Sequence, residues 1–458
     1  MSVTYALAVT ASQADSYVND GVDFFGGFAV DARILENLVS SDALIPLFNL
    51  DLPGSPFAPD RPIDILEVPA NPFIQARHAV GPQDSRAILG GIIEYPPYDG
   101  TGVVRLGNEE TDLLWIEPTR LSTGSRLLRY YPGQKEPQLR AVFHGITWGW
   151  ENVETGEFCA FTPSNLIGPS LTRAWGSIPV DIEYDNDGNP SAVQMVSPAM
   201  NENEGGFEPV ESGFYAKRIA YQDDMDIFEP HIIGRINSIP VRVIRTLARE
   251  DGTILAFCVA LILDMPLVLN SGFDRWNQAF AVITVPIDEV EAQMQPITPP
   301  ELTVKDLPAA TLVPDDAPPL DRMVTHIFTL ASAVAPLEWE KASILVQLVG
   351  NTAASGGVAS YTDSSGEEQT VPFDFVPSAI SSYATWIKEN NLNNDNVAPI
   401  SIVFNLNAQG RNVNIALNYD DEPEFAEGID KLEWQREVEK YPRPDNDMPQ
   451  WLRERIGK

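Results

Sequence analysis

The sequence predicts an α+β protein: a β-rich N-terminal region of one or two units, joined by a proline-rich linker to a C-terminal antiparallel sheet with helices packed on one face. Three observations predict it. Short apolar runs flank glycine-bearing turns through the first 295 residues. Seven of the 25 residues from 296 to 320 are proline and no apolar period survives there, as in a semi-extended spacer. Beyond residue 320 the apolar period alternates between that of a helix and that of a strand.

The chain has 458 residues, which fits about three domains at roughly 150 residues each. The boundaries fall at 1–204, a β-rich domain; 205–295, a second β-rich unit and partial duplication; 296–320, the linker; and 321–458. Residues 1–11 read as a first strand, because this apolar start lacks the positive charge of a signal peptide: the first basic residue is Arg33. A helix is expected near 30–39, where Ile34, Leu35 and Leu38 share a face and Asp31 lies at the N-terminus. Phrases such as Pro53-Gly54-Ser55-Pro56 and Tyr95-Pro96-Pro97-Tyr98 favour extended and turn geometry. Residues 142–150 and 158–161 flank Glu154-Thr155-Gly156, and 241–247 and 254–263 flank Glu250-Asp251-Gly252, as in two hairpins. Each is followed by a tryptophan stretch, at Trp175 and Trp276, and a further β-rich run. This is the expected duplication, with hairpins about 96 residues apart and a join at 201–206.

After the linker, Asp321 is placed to cap a helix with the stripe Met323, Ile327, Leu330 and Val334, ended by Pro336. Strands follow at 343–349, 358–362 and 371–373, with a turn at Ser364-Ser365-Gly366. Pro377 opens a helix to about Asn390 with Ile380, Tyr383, Ala384 and Ile387 inward. A hairpin of 400–406 and 413–419 precedes a last helix over 430–440. The order is α-β-β-β-α-β-β-α.

Thirty Lys and Arg stand against 65 Asp and Glu, a formal net charge of -35. Such a surface repels phosphate backbones and anionic headgroups, and the basic residues are mostly scattered singly, so neither direct nucleic-acid nor membrane binding is expected. A basic partner, or solubility alone, accounts for the charge. Two cysteines, Cys159 and Cys258, suit a reducing cytoplasm, with a single pair between them left open. The longest apolar run, 254–263, is ten residues, well short of the ~20 that span a bilayer.

Chemistry-bearing motifs are few. Dinucleotide, phosphate-loop, nucleophile-elbow and zinc-protease signatures are all missing, and His78, His144, His231 and His326 have no metal-ligand spacing. No cofactor or metal is expected, and the chain is read as a non-enzyme. Glu183-Tyr184-Asp185-Asn186-Asp187-Gly188 alternates oxygen ligands as a calcium loop does. Glu183 replaces the usual first Asp, however, Gln194 the bidentate Glu, and Pro190 interrupts it, while a strand-to-strand turn explains Asp187-Gly188 equally well. The acidic cluster Asp420, Asp421, Glu422, Glu424 and Glu427, followed by Trp434 and Tyr441, reads either as a solvated loop beside a core aromatic or as an anionic face with aromatic anchors.

The C-terminal unit, about 321–452, resembles the YezG-like family of bacterial immunity proteins. The matching phrases are Leu337-Glu338-Trp339-Glu340-Lys341, the Tyr361 strand with its Ser365-Gly366 turn, and the helix Ser382-Tyr383-Ala384-Thr385-Trp386-Ile387-Lys388. They continue with Ile415-Ala416-Leu417-Asn418-Tyr419-Asp420-Asp421 and the closing helix with Trp434 before Tyr441-Pro442. The resemblance implies a cytoplasmic, non-catalytic antitoxin that binds the enzymatic domain of a secreted toxin of LXG or related nuclease type. A carboxylate surface would occupy a site built for phosphate, through Tyr419, Asp420, Asp421, Glu422 and Trp434. The N-terminal 295 residues depart from the family. They resemble only uncharacterised actinobacterial proteins, which implies no function, and further immunity modules or a scaffold would fit them. Two other readings stay open: an N-terminal carboxylate hydrolase, drawn from His144, Trp148, Trp150 and Trp175, fused to an antitoxin; and a structural assembly protein.

Overall fold

The computed structural model describes residues 3–48, 50, 55–79, 102–106, 109–159, 163–198, 204–210, 213–249, 251–261, 265–276, 280–299, 301–304, 312–313, 323–324, 327–328, 330–331, 335, 339–363, 365–373, 376, 378–391, 397–410, 412–423, 428–444 and 448–457. The fold is α+β and β-rich, with several antiparallel sheets and few helices. The chain divides into two compact units that part between Asp315 and Asp316.

The N-terminal unit is built on a nine-stranded antiparallel sheet. Its strands are β1 (Thr4–Val9), β2 (Phe24–Asp31), β3 (Ile63–Pro69), β4 (Ala76–His78), β7 (Leu114–Arg120), β8 (Arg126–Tyr130), β9 (Gln138–Phe143), β10 (Trp150–Asn152) and β11 (Glu157–Phe158). They lie in the order β11-β10-β9-β8-β3-β1-β2-β7-β4. The central strands carry apolar side chains on both faces, as a strand covered on both sides must. Phe24, Phe28 and Val30 enter one core, and Phe25 and Ala29 the other. The helix Ala11–Asp20 closes the second core with Ala14 and Tyr17. Its start is fixed by a capping box between Thr10 and Gln13. The helix expected near 30–39 is a 3-10 turn, Ala32–Asn37, capped by the Asp31 carboxylate, because Leu38 already turns extended. Two short strands, β5 (Val103–Leu106) and β6 (Glu109–Asp112), form a small separate sheet with a third strand described below.

Two six-stranded sheets follow. The first contains β12 (Ser170–Arg173), β13 (Gly176–Tyr184), β14 (Pro190–Ser197), β15 (Glu208–Pro209), β16 (Tyr215–Ala220) and β17 (Ile227–Phe228). The second contains β18 (Ile232–Ile236), β19 (Ile239–Ala248), β20 (Ile254–Ala260), β21 (Asp274–Arg275), β22 (Ala281–Pro286) and β23 (Gln293–Met294). Their orders, β15-β16-β14-β13-β12-β17 and β21-β22-β20-β19-β18-β23, match strand for strand. The chain is therefore duplicated, but in a different register from the one expected.

The anchor of the duplication is Ser177-Ile178-Pro179-Val180 against Ser238-Ile239-Pro240-Val241, with the same exposed, buried, half-buried, buried pattern in both copies. A register irregularity follows each, with the extra residue on β14 (Ser191) in the first copy and on β19 (Ile244) in the second. Turns containing Asp187-Gly188 and Asp251-Gly252 then lead into β14 and β20. The hairpin around Glu154-Thr155-Gly156 belongs to the edge of the nine-stranded sheet and has no part in the repeat. The boundary expected at 204/205 is likewise overturned, since β14 pairs with β16 across it.

The linker also differs from expectation. Where described, it is stitched to the N-terminal unit and is not a free spacer. Ile297 exchanges both backbone hydrogen bonds with Glu229, and Leu302 packs on the core of the first repeat. The Val304 N–H donates to Gly188 O, and β24 (Leu312–Val313) pairs with β6.

The C-terminal unit is a five-stranded antiparallel sheet of β25 (Lys341–Val349), β26 (Thr352–Thr362), β27 (Glu368–Pro372), β28 (Ser401–Asn407) and β29 (Asn412–Asn418), in the order β27-β26-β25-β28-β29. Ala342, Ile344, Val346 and Leu348 point to one face and meet Ile380, Ala384 and Ile387 of the helix Ser378–Asn390. Helical Met323, Ile327 and Leu330 complete that core, as their spacing predicts. Asp321, His326, Val334, Pro336 and Pro377 lie outside the described residues. The helices Lys431–Lys440 and Gln450–Ile456 gather in a second small core with Val349 and Ile400.

Candidate functional site

In the C-terminal unit, Asn418 ends β29 and folds the following segment into a corner. Its Oδ1 accepts the Asp420 and Asp421 N–H groups at 3.2 and 2.9 Å, and its Nδ2 donates to Ser401 Oγ and Asp421 O at 3.0 and 2.8 Å. The Tyr419 hydroxyl donates to Asn391 O at 2.9 Å, and the Trp451 indole N–H donates to Asp420 O at 2.7 Å. The corner is thus held by side-chain hydrogen bonds typical of a polar turn.

The expected contact residues divide. Asp420, Asp421 and Glu422 are exposed and Tyr419 is half-buried. The Asp420 carboxylate faces the Arg443 guanidinium at 3.4 Å, and Glu422 accepts from Arg455 at 2.8 Å. Burial pushes the Arg443 pKa down, with Asp420 and Glu437 opposing. The three carboxylates therefore sit among two arginines, and this corner is less anionic than its sequence reads. Trp434 is a correction: it is fully buried in the small core, edge-on to Trp451 at 5.4 Å between ring centroids. It supports the corner from beneath and is not a surface anchor. The aromatic beside Asp420 is Trp451, which sequence reasoning passed over although Pro449 before it marks a helix start. Glu424 and Glu427 lie outside the described residues.

In the N-terminal unit, the residues that suggested an enzyme do not all converge, although His144 and Trp148 both lie against Phe158. Trp150 is buried, with its indole N–H donating to Val22 O. Trp148 is exposed near Phe158, and His144 bonds Glu151 at 2.7 Å. Trp175 packs on the first repeat. The Glu183–Gly188 segment is the end of β13 and the turn after it: the Asp185 carboxylate accepts the Asn189 and Asp187 N–H groups, each at 2.9 Å, which holds its pKa below the usual range. Among the described residues, no group of three His, Cys, Asp or Glu is placed to hold a metal ion. Cys159 and Cys258 are both free thiols, and burial pushes Cys258 up to about 12. No helix among the described residues is long and apolar enough to cross a membrane.

A buried ionic network lies where the duplicated sheets meet β7. Glu229 and Arg242, both fully buried, pair at 2.6 Å, and the same Glu229 oxygen accepts from Thr119 Oγ1 and Gly168 N at 3.0 and 2.9 Å. The neighbouring Arg120 donates to Ile167 O, Pro169 O and Val180 O and stands 3.6 Å from Asp181. Asp181 and Arg242 occupy equivalent places, each following an Ile-Pro-Val phrase. A single strand, β7, thus reaches both repeats, through the Arg120–Asp181 ion pair and the Thr119–Glu229 hydrogen bond.

Comparison with known proteins finds no family model and no curated protein that matches this chain.

Proposed function

We propose that the chain is an immunity protein that binds and inhibits the enzymatic domain of a secreted bacterial toxin. The partner on this reading is a basic, nuclease-type domain, the compartment is the cytoplasm, and the protein performs no chemistry of its own. One observation carries the reading: the Tyr419–Glu422 corner is pre-ordered, so binding through it forfeits little conformational freedom. The phrases shared with the YezG-like family support it, and all of them fall in the C-terminal unit. Trp451 replaces Trp434 as the aromatic contact, next to Tyr419, Asp420, Asp421 and Glu422. The overall charge of -35 would draw in a cationic partner from a distance, while the corner supplies the fit.

The test is co-expression with toxins encoded beside the gene, with binding measured by calorimetry. Protection by the wild type is expected, together with a loss of at least tenfold in affinity for Asp421→Lys combined with Trp451→Ala. If that double variant protects and binds as the wild type does, the site is wrong. If no neighbouring toxin is neutralised, the function is wrong.

A further inference from the structure

The N-terminal unit contains a cavity of about 290 Å³, at the small end of ligand pockets. Its lining includes Phe73, Arg120, Thr123, Asp181, Tyr184 and Val304. The Asp181 Oδ2 accepts from Ile146 N at 2.7 Å and from Thr123 Oγ1 at 3.2 Å. Among the described residues its Oδ1 accepts no hydrogen bond and stands 3.6 Å from Arg120. Both terminal nitrogens of that guanidinium donate to backbone carbonyls and its one unpartnered nitrogen among the described residues, Nε, is buried, so it offers little to an incoming anion. The Tyr184 hydroxyl has no hydrogen-bond partner among the described residues. Glu183, by contrast, is held by Arg218 through two 2.8 Å bonds.

The second repeat serves as an internal control. Its Arg242, in the place of Asp181, is sealed from solvent and bonded to Glu229. The Asp181 side chain is 16% exposed. One copy is closed by a fully buried ion pair at 2.6 Å, whereas the other keeps a partly exposed carboxylate whose pairing with Arg120 is longer, at 3.6 Å, and whose Oδ1 accepts no hydrogen bond among the described residues.

We propose that this cavity binds a small organic cation, a primary ammonium group on an apolar body, with the ammonium at Asp181 Oδ1 and the body against Phe73 and Tyr184. Three considerations select a cation. The free acceptor is anionic, the aromatic walls attract positive charge, and the acidic chain concentrates cations at its surface. Burial raises the Asp181 pKa, with Arg120 opposing, and an ammonium group beside Oδ1 would favour its charged form. The proposal concerns the N-terminal unit and does not rest on the immunity reading.

The test is calorimetric titration of the full chain with butylamine and 2-phenylethylamine, each beside its alcohol isostere and with phenylacetate as the anionic comparison. The amines are expected to bind at least tenfold more tightly than the alcohols, and Asp181→Asn to abolish the difference while circular dichroism stays native. Tyr184→Phe should weaken amine binding a few-fold. Equal binding of amine and alcohol by the wild type, or no binding by either, overturns the proposal without recourse to any variant. Tighter binding of phenylacetate overturns the choice of charge.

Discussion

Glu229 shows what a single residue holds in this molecule. One of its oxygens accepts from a hydroxyl, a backbone N–H and a guanidinium, all buried. Truncation to alanine would leave the Arg242 charge without compensation, at a cost of about 3–5 kcal/mol. The expected outcome is a loss of that size in urea denaturation of the N-terminal unit. Replacing the pair together, Glu229→Leu with Arg242→Met, should recover most of it, because a buried pair gives little net stability over apolar groups of similar volume. If the double replacement is as damaging as the single one, the network is specifying the fold and not merely satisfying itself. Two other acids, one buried and one half-buried, act through pH. Burial raises Asp23 and Asp181 above the usual carboxylate range, with Ser164 and Arg120 opposing in turn. A group whose folded pKa is raised contributes stability below its unfolded value and loses it as pH climbs through the folded value. Acidification through their folded values toward the unfolded carboxylate value should therefore stabilise the N-terminal unit through these two groups, and Asp23→Asn with Asp181→Asn should flatten the response. Asp363 acts in the opposite sense. Hydrogen bonds from Ser365, Glu367 and Gln369 hold it down at about 2, so its contribution is present above the unfolded value and fades as pH falls toward 2.

At the scale of elements, the segment from 296 to 313 is the sharpest departure from expectation, and it makes a prediction of its own. Where described, it is extended at Ile297, which pairs with Glu229, and at Leu312–Val313, which pair with β6. A chain ending at Asp315 should fold with the stability of the N-terminal unit in the full protein. A chain ending at Gln295 should lose the Leu302 contact and both pairings, with a lower melting temperature and a tendency to aggregate through the uncovered edge. Equal melting of the two truncations would make the segment a spacer after all. The same scale shows what the sequence could reveal. The C-terminal elements were legible because apolar spacing and turn residues agree there: Ile380, Ala384 and Ile387 are buried, and Gly366 adopts the positive φ that its turn requires. The duplication was misread because a turn glycine is demanded by geometry wherever a tight hairpin forms. Gly156, Gly188 and Gly252 all have positive φ, and only the last two stand at matching places in the two six-stranded sheets. The recurring Ile-Pro-Val phrase was the better signal, since proline inside a strand is uncommon. Which face Trp434 occupies was not legible, because aromatic anchors and core aromatics share one composition.

At the scale of the whole molecule, each unit has its own apolar core, and the charge is divided unevenly: residues 321–458 carry 21 acidic and 11 basic side chains, a net -10 against -25 for the rest. If the C-terminal unit makes the toxin contact, the larger charge elsewhere acts only through the field. A field acts on encounter and leaves the docked interface alone, so it changes the association rate more than the dissociation rate. It is also screened, with a Debye length of about 8 Å at physiological salt and about 30 Å at 0.01 M. Stopped-flow measurement of the cognate toxin against the full chain and against residues 316–458 should therefore give equal dissociation rates at every salt concentration. The association rates should differ severalfold at 0.01 M and converge above 0.15 M. A dissociation rate that rises when residues 1–315 are removed would instead place part of the contact on the N-terminal unit, and the duplicated sheets would then become the surface on which to look for it.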